Sequence, residues 1–527
     1  MKKYKKFLII LGIITLIRFL ISYKLPSFYI QNLVYDDRLM VYQLVSLLNG
    51  KYLGTYSDFI LIKGVIFPFF LFIVRNMNMS YSSIITILYI LSCMYFTKGL
   101  EKTIKNKKAL IILYLVLLFN PITYSSELFQ RLYRNSLSSI EILFFLGIII
   151  RLFLSENKIK KDIIKYILLG IMMSIMYMTR EDNIWILVIL GILVLYKLIK
   201  YKSYKLMFLE LIPLVLLHIN LNIVSLINYK QYGIYTYNEI QKSEFKNTFK
   251  KTLQIKDDKE LDQVSIPKTT LLKLSKNTKS FIKEKDINIF YKLLADKNGE
   301  IYNGNIIWYF RQMVYKRNAI KSGKESEKYF KKLGKEIDEL YKNKTLKKEF
   351  VFPSILLNRP TKNNIKQLPK SVLDIVVYTT TYKDIKTITE FKDFKYDPKV
   401  KAYTKEHKNS HTTHNIVKEN DKDYEMIRII YMILNVVLSP ISLIIYIMNI
   451  KKKDDINLIN IIILISYLVI LAGVSYTNVT AFPTKRYLCL GNLYLLQSIF
   501  VYLNIYRFVE MQNIKEEDNK KKKVSKK

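Results

Sequence analysis

The chain has 527 residues, of which 50% are hydrophobic and 24% are charged, and its formal net charge is +40. One soluble core does not explain both properties, because the apolar residues gather in runs near the length that spans a bilayer. The lysines flank those runs in short clusters, which is typical of topology control, so we expect the lipid bilayer and no nucleic acid as a partner. The sequence predicts a polytopic α-helical protein of the cell membrane.

The N-terminus carries the first apolar run, residues 7–23, directly after four lysines. By the positive-inside rule this run is a retained anchor with a cytoplasmic N-terminus, since no small-residue cleavage site follows it. Residues 24–79 then form the first exterior loop, which contains two adjacent carboxylates, Asp36 and Asp37. A carboxylate pair beside a membrane is costly unless it faces water, a cation or a substrate. The pair is therefore a candidate site.

A second apolar stretch, residues 59–74, is interrupted by Lys63, Gly64 and Pro68. If this stretch and residues 80–96 both crossed the membrane, the basic cluster that follows would be exterior, against the positive-inside rule. We therefore predict that residues 59–74 do not fully cross. They would lie on the outer face or re-enter, surrounded by protein.

With that choice each later basic cluster falls on the cytoplasmic side. The ten predicted crossings are residues 7–23, 80–96, 109–120, 137–154, 166–179, 184–199, 206–227, 426–450, 456–474 and 486–508. The N-terminal membrane domain is thus residues 1–227, and the C-terminal three-helix part is residues 425–508. Residues 228–424 form a large exterior α-rich (α+β) insertion, with a strand predicted at residues 375–382. The Lys-rich residues 509–527 form a cytoplasmic tail.

Further charged residues lie at the predicted exterior ends of helices. Arg180, Glu181 and Asp182 stand between two apolar runs with almost no loop, which fits either phosphate binding by Arg180 or a tight polar hairpin. Glu181 and Asp182 are also candidates for a second acid. Glu127 is either another second acid or the i,i+4 partner of Arg131 on a surface helix.

Two cations, Lys485 and Arg486, open the last predicted helix on the exterior side. A helix N-terminus already favours anions, and the two side chains add to that preference. Snorkelling to lipid headgroups is the alternative explanation. Both interpretations place these residues at the membrane surface.

The order of these features resembles the GT-C superfamily of membrane glycosyltransferases, which includes protein O-mannosyltransferases and the aminoarabinose transferases of lipid A. The resemblance is strongest in the N-terminal half. The residues that carry it are Asp36 and Asp37, Lys63 and Gly64 with Pro68, Asn120 and Pro121, Arg180, and Arg486 and Tyr487. It implies a GT-C-like fold of about ten spanning helices with one non-crossing segment.

The resemblance also implies an activity, the transfer of a sugar from a polyprenyl-phosphate donor to an extracytoplasmic acceptor. Asp36 would be the general base, and Asp37 would be its partner or a cation ligand. The cations that would bind the donor phosphate are Lys63, Arg180, Lys485 and Arg486. Participation of a divalent cation is left open.

Two alternatives remain open on the sequence. A polysaccharide polymerase of the O-antigen or capsule type also joins lipid-linked sugars outside the membrane, but it relies on arginine-rich exterior loops. A flippase or transporter of lipid-linked sugars would carry charges at the bilayer midplane and broken, repeated helices. Here the charges gather at the interfaces instead.

Overall fold

The computed structural model describes residues 2–23, 25, 27–29, 36–155, 159–202, 204–257, 261–296, 298–350, 360–383, 385–387, 407–481 and 490–524. Within these ranges the regular structure is helical, and strand-like pairing is limited to three isolated bridges. The α+β character predicted for the insertion is therefore wrong for the part of it that the structure describes.

The described residues of the N-terminal part of the chain form nine α-helices. Their bounds are α1 (Lys2–Tyr23), α2 (Asp36–Leu48), α3 (Ile66–Asn76), α4 (Tyr81–Gly99), α5 (Lys107–Leu118), α6 (Arg134–Phe153), α7 (Ile159–Thr179), α8 (Ile186–Tyr201) and α9 (Tyr204–Tyr232). Short 3-10 or π turns at Pro121–Tyr124, Ser126–Gln130 and Glu181–Trp185 join some of them. The longest of these helices are the apolar ones.

The polar insertion and the C-terminal part follow. Their helices are α10 (Glu244–Leu253), α11 (Lys268–Asn277), α12 (Glu284–Leu294), α13 (Asn303–Asn318), α14 (Gly323–Lys342), α15 (Lys362–Thr381), α16 (His407–Asn449), α17 (Asp455–Thr480) and α18 (Leu490–Val524).

Among the described residues, eight helical segments are long and apolar enough to cross a membrane. They are Tyr81–Gly99, Lys107–Tyr124, Arg134–Phe153, Asp162–Thr179, Glu181–Tyr201, Phe208–Tyr232, Tyr424–Asn449 and Asp455–Thr480. All eight coincide with predicted crossings, so the chain is consistent with a polytopic helical membrane protein. The full count of ten, which needs α1 and α18 as well, stays a prediction.

Helix α3 has only 11 residues. At 1.5 Å per residue it is about 16 Å long, whereas the hydrocarbon core of a bilayer is about 30 Å thick. It is too short to span by itself, as the non-crossing prediction for residues 59–74 requires.

Two hydrophobic cores organise the described residues. The first lies between the long apolar helices, and the second joins residues 232–346 of the insertion with residues 53–65, between α2 and α3. Helix α15 belongs to the first core, through Ile375, and so do Tyr382 and Ile385 just after it. The predicted unit of residues 228–424 thus contributes to both cores, and we call its part in the second core, residues 232–346, the aqueous domain.

The strand predicted at residues 375–382 is wrong, because residues up to 381 form the end of α15. The β-branched and aromatic residues favoured a strand, but Ser371, Ile375 and Thr379 are buried at the four-residue spacing of a helix face. Packing of that face against the bundle outweighs intrinsic strand preference.

Candidate functional site

The two adjacent carboxylates lie in the first turn of α2, where the positive end of the helix dipole favours acids. One face of α2 is buried in the first hydrophobic core through Met40, Val41 and Leu44. Successive helical residues point about 100° apart, so Asp37 lies on the buried side, with no exposed side-chain surface. The Asp36 side chain stays 30% exposed.

Among the described residues, three side chains surround the Asp36 carboxylate. Its Oδ2 lies 2.9 Å from Lys63 Nζ, accepts a hydrogen bond from Tyr133 Oη at 2.9 Å, and lies 3.7 Å from Arg134 Nη2. Burial alone would raise the pKa of Asp36, but the Lys63 and Arg134 charges and the Tyr133 hydrogen bond lower it to about 2. Asp36 is therefore an ionised, partly exposed carboxylate at neutral pH.

Asp37 has a different partner. Arg131 Nε and Nη2 donate to its two carboxylate oxygens, both at 2.6 Å, and Arg131 Nη1 donates to Glu127 at 2.7 Å. The bidentate pair joins α2 to the segment before α6, where Phe28 also bridges to Arg131. Glu127 is 59% exposed and is the i,i+4 partner of Arg131, as one of its two sequence interpretations had it.

The segment that carries Lys63 docks directly on the end of α7. A Cβ atom on Gly64 would lie 1.7 Å from the carbonyl oxygen of Met178, so only glycine fits this approach. The Gly64 amide donates to Glu181 Oε1 at 2.8 Å. Lys63 is thereby held opposite Asp36 by backbone packing and one charged hydrogen bond.

Glu181 joins three parts of the chain. Besides Gly64 it accepts hydrogen bonds from Arg134 Nη1 at 3.1 Å and from Asn238 Nδ2 at 2.9 Å. Arg134 opens α6, and Asn238 belongs to the aqueous domain. With its oxygens engaged in this way, Glu181 acts as a structural junction beside Asp36.

Arg180 is almost fully buried in the same hairpin. Its guanidinium donates to Asn135 Oδ1 at 2.5 Å and to both carboxylate oxygens of Asp182, at 3.0 and 2.8 Å. It lies near enough to Arg134 for the two charges to repel. These contacts are those of a tight polar hairpin, and the phosphate-binding role of Arg180 stays a prediction.

The other two predicted cations, Lys485 and Arg486, lie outside the described residues. The described start of α18 packs against α6, where a Cβ on Gly491 would meet Ser139 and where Asn492 Nδ2 donates to Ser138 Oγ at 3.1 Å. Ser138 lies about one helical turn after Arg134 on α6.

Sequence reasoning missed two aromatic residues at the site. Tyr133 donates to Asp36, and its ring lies below the guanidinium groups of Arg131 and Arg134. Trp308, in α13, places its ring centroid 4.6 Å from Lys63 Nζ. Tyr133 lies between Arg131 and Arg134 in the chain, and Arg131 was already a predicted partner of Glu127, whereas nothing local marks Trp308, which is far away in the chain.

A metal centre is not evident in the part of the chain that the structure describes. There, no group of three or more His, Cys, Asp or Glu side chains is placed to hold a metal ion. The site's positive charge is supplied by Lys63, Arg131 and Arg134. Of these cations, Lys63 and Arg134 lie beside the partly exposed Asp36, whereas Arg131 is paired with Asp37 and Glu127.

Comparison with known proteins gives no family assignment. No family model matches the chain, and no curated protein and no solved structure matches it either.

Proposed function

We propose that the protein is a GT-C-type membrane glycosyltransferase that moves a sugar from a polyprenyl-phosphate donor to an extracytoplasmic acceptor. Its termini would be cytoplasmic, and the Asp36 site would face the exterior. One observation carries the proposal: a partly exposed carboxylate, Asp36, lies against a lysine and close to an arginine at the end of apolar helices. In this proposal the base and the cations that bind the donor phosphate are neighbours at one membrane face.

The cations explain how a carboxylate with so low a pKa can act as a base. When the donor phosphate binds Lys63 and Arg134, Asp36 shares its counter-charges with a second anion and its pKa rises. A rise toward the working pH strengthens the base. Base strength would then be coupled to the presence of donor.

In the reaction the acceptor hydroxyl gives its proton to Asp36 while its oxygen attacks the anomeric carbon of the sugar. The bond from that carbon to the phosphate oxygen breaks, and polyprenyl phosphate leaves with the electron pair. Lys63 and Arg134 stabilise the charge that develops on the leaving group. Attack opposite the leaving group inverts the configuration of the sugar.

In this scheme Asp37 supports the site and does not react. Its two oxygens are held by Arg131, and its side chain is fully buried. It fixes the N-terminus of α2, and so the direction of Asp36, against the segment before α6.

Asp36→Asn tests the proposal in purified protein given a panel of polyprenyl-phosphate sugars. The variant keeps size and most hydrogen bonds but loses basicity, so turnover should fall by about two to four orders of magnitude while donor binding persists. The matched control is Asp338→Asn, which changes a carboxylate paired with Lys251 in the aqueous domain.

Full transfer by Asp36→Asn would overturn the assignment of the base. The same variant separates the proposal from a polymerase and from a transporter, because neither relies on a carboxylate base. Consumption of one donor in the panel by the wild type would also name the sugar.

A further inference from the structure

Helix α15 runs antiparallel to α17 along much of its length. Three hydrogen bonds fix the register: Asn364 Nδ2 to the Val479 carbonyl at 2.9 Å, Ser371 Oγ to the Ser475 carbonyl at 3.3 Å, and Thr379 Oγ1 with Tyr467 Oη at 3.4 Å. Helix α17 has 26 residues and is about 39 Å long. Since Tyr467 lies near its middle, the end of α15 reaches about half of the depth that α17 spans.

The C-terminal end of α15 is anchored at that depth by other apolar helices. Tyr382 Oη lies 3.2 Å from Asn120 Nδ2, at the end of α5, and 3.2 Å from Ser498 Oγ of α18. Gln497 Nε2 donates to Thr380 Oγ1 at 2.9 Å. Tyr382 itself has φ +50°, which ends the helix there.

Helix α15 enters the bundle of apolar helices from the side on which the Asp36 site lies. The end of α17 at Thr480 and Ala481 is bound by the aqueous domain, since Asn303 Nδ2 donates to the Thr480 carbonyl at 2.6 Å and the Gly304 amide to Ala481 at 2.9 Å. Both donors belong to α13, the helix that brings Trp308 to Lys63.

The exposed side chains of α15 change character along the helix. In its first half they include Lys362, Asn363, Lys366, Gln367 and Lys370, together with the apolar Ile365 at 61% exposure. Beyond Lys370 the exposed side chains of α15 are Leu373 and Val377, at 62% and 47% exposure, and the one charged residue there, Asp374, is only partly exposed. An amphipathic helix that left the aqueous phase at about residue 370 would show this change, because charges are costly in hydrocarbon and apolar side chains are not.

We propose that α15 is a membrane-inserted helix that descends from the aqueous domain into the site-side half of the bilayer, where Leu373 and Val377 contact lipid acyl chains. The occupant is lipid because α15 lies beside α16 and α17, whose own exposed faces at Val437 and Leu468 are apolar. Lys383, an exposed charge just beyond α15, turns its Nζ back to 5.8 Å from the Tyr378 ring, which is the direction that snorkelling toward the surface would take.

Spin labels on the full chain in liposomes test the insertion without any measurement of activity. Single cysteines replace Leu373, Val377 and Lys366 in a background where Cys93 and Cys489 are alanine. A fourth label replaces Leu293, an apolar residue of α12 in the aqueous domain that is 75% exposed. Leu293 is the matched control for an exposed leucine in water.

The labels at positions 373 and 377 should collide often with oxygen, which concentrates in lipid, and seldom with a water-soluble nickel complex. Position 377 should lie about 6 Å deeper than position 373, since four residues separate them in a helix. Positions 366 and 293 should collide often with nickel.

Nickel access at positions 373 and 377 equal to that at position 293 would overturn the proposal. Protection from both reagents would also overturn it, because protein would then cover the face.

Discussion

Two neighbouring aspartates have different surroundings because a helix turns between them. Asp36 faces Lys63 and solvent, while Asp37 faces Arg131 inside the protein. A sequence shows the pair and its place beside a membrane, and that was enough to select it as a candidate site. It does not show the partner of each carboxylate, because the partners lie more than 20 residues away along the chain.

The Asp37–Arg131 pair gives a prediction about stability. Asp37→Asn leaves the Arg131 guanidinium, 10% exposed, without its bidentate counter-charge. Removal of one partner of a buried ion pair costs about 3–5 kcal/mol, and thermal unfolding in detergent should show a loss of that order.

Glu127→Gln is its matched control, because it removes the exposed carboxylate of the same arginine. Exposed substitutions of this kind change stability by about 0.5 kcal/mol or less. Equal losses in the two variants would contradict the assignment of Asp37 as the buried anchor.

At the scale of elements, the loop between α2 and α3 is held by a close backbone approach and not by a regular structure. Lys63 and Gly64 were visible in the sequence as interruptions of an apolar stretch. The reason for a glycine at position 64 cannot be seen in the sequence, because the Met178 carbonyl that excludes a side chain there belongs to α7. Similarly, local residue preferences predict a strand at the end of α15. The helices against which that segment packs as a helix are distant in sequence, so no local pattern shows them.

Gly64→Ala should displace this loop. Its Cβ would lie 1.7 Å from a backbone oxygen, so the loop must move away from α7, and the Gly64 hydrogen bond to Glu181 and the Lys63 contact with Asp36 should be lost together. We expect lower thermal stability and loss of most transfer activity.

Gly191→Ala provides the comparison. Gly191 lies inside α8 with open space around it, and alanine in place of glycine in a helix stabilises by about 0.5–1 kcal/mol. If Gly64→Ala behaved like Gly191→Ala in both measurements, the docking of the loop would not matter for the site.

At the scale of the whole molecule, the aqueous domain and residues 53–65, in the loop between α2 and α3, share one core. Arg311, fully buried in α13, donates to the carbonyls of Asp58 and Ile60 at 2.8 and 3.2 Å and to both oxygens of Glu239 at 2.8 and 2.9 Å. The loop that positions Lys63 is therefore built into the domain. Composition predicted a polar insertion, but contacts across some 250 residues of chain lie beyond any local pattern.

This architecture leads to a prediction about topology. Helix α4 is the segment between Asn76, at the end of α3, and Lys102, and its 19 residues give it a length of about 28 Å. Because α3 is too short to cross, Asn76 should be on the same side as Asp36, and one crossing by α4 should place Lys102 on the opposite side.

Single cysteines at these two exposed positions, in a background without Cys93 and Cys489, measure the arrangement in intact cells. An impermeant thiol reagent should label position 76 and leave position 102 unlabelled until the cells are opened. Lys102 is chosen over the neighbouring Asn106 because the Asn106 side chain caps α5, and its loss would disturb that helix.

Labelling of position 102 with protection of position 76 would invert the sides. The basic cluster of residues 98–108 would then be exterior. Either residues 59–74 would cross the membrane, against the prediction, or the Asp36 site would face the cytoplasm, where an extracytoplasmic acceptor could not reach it.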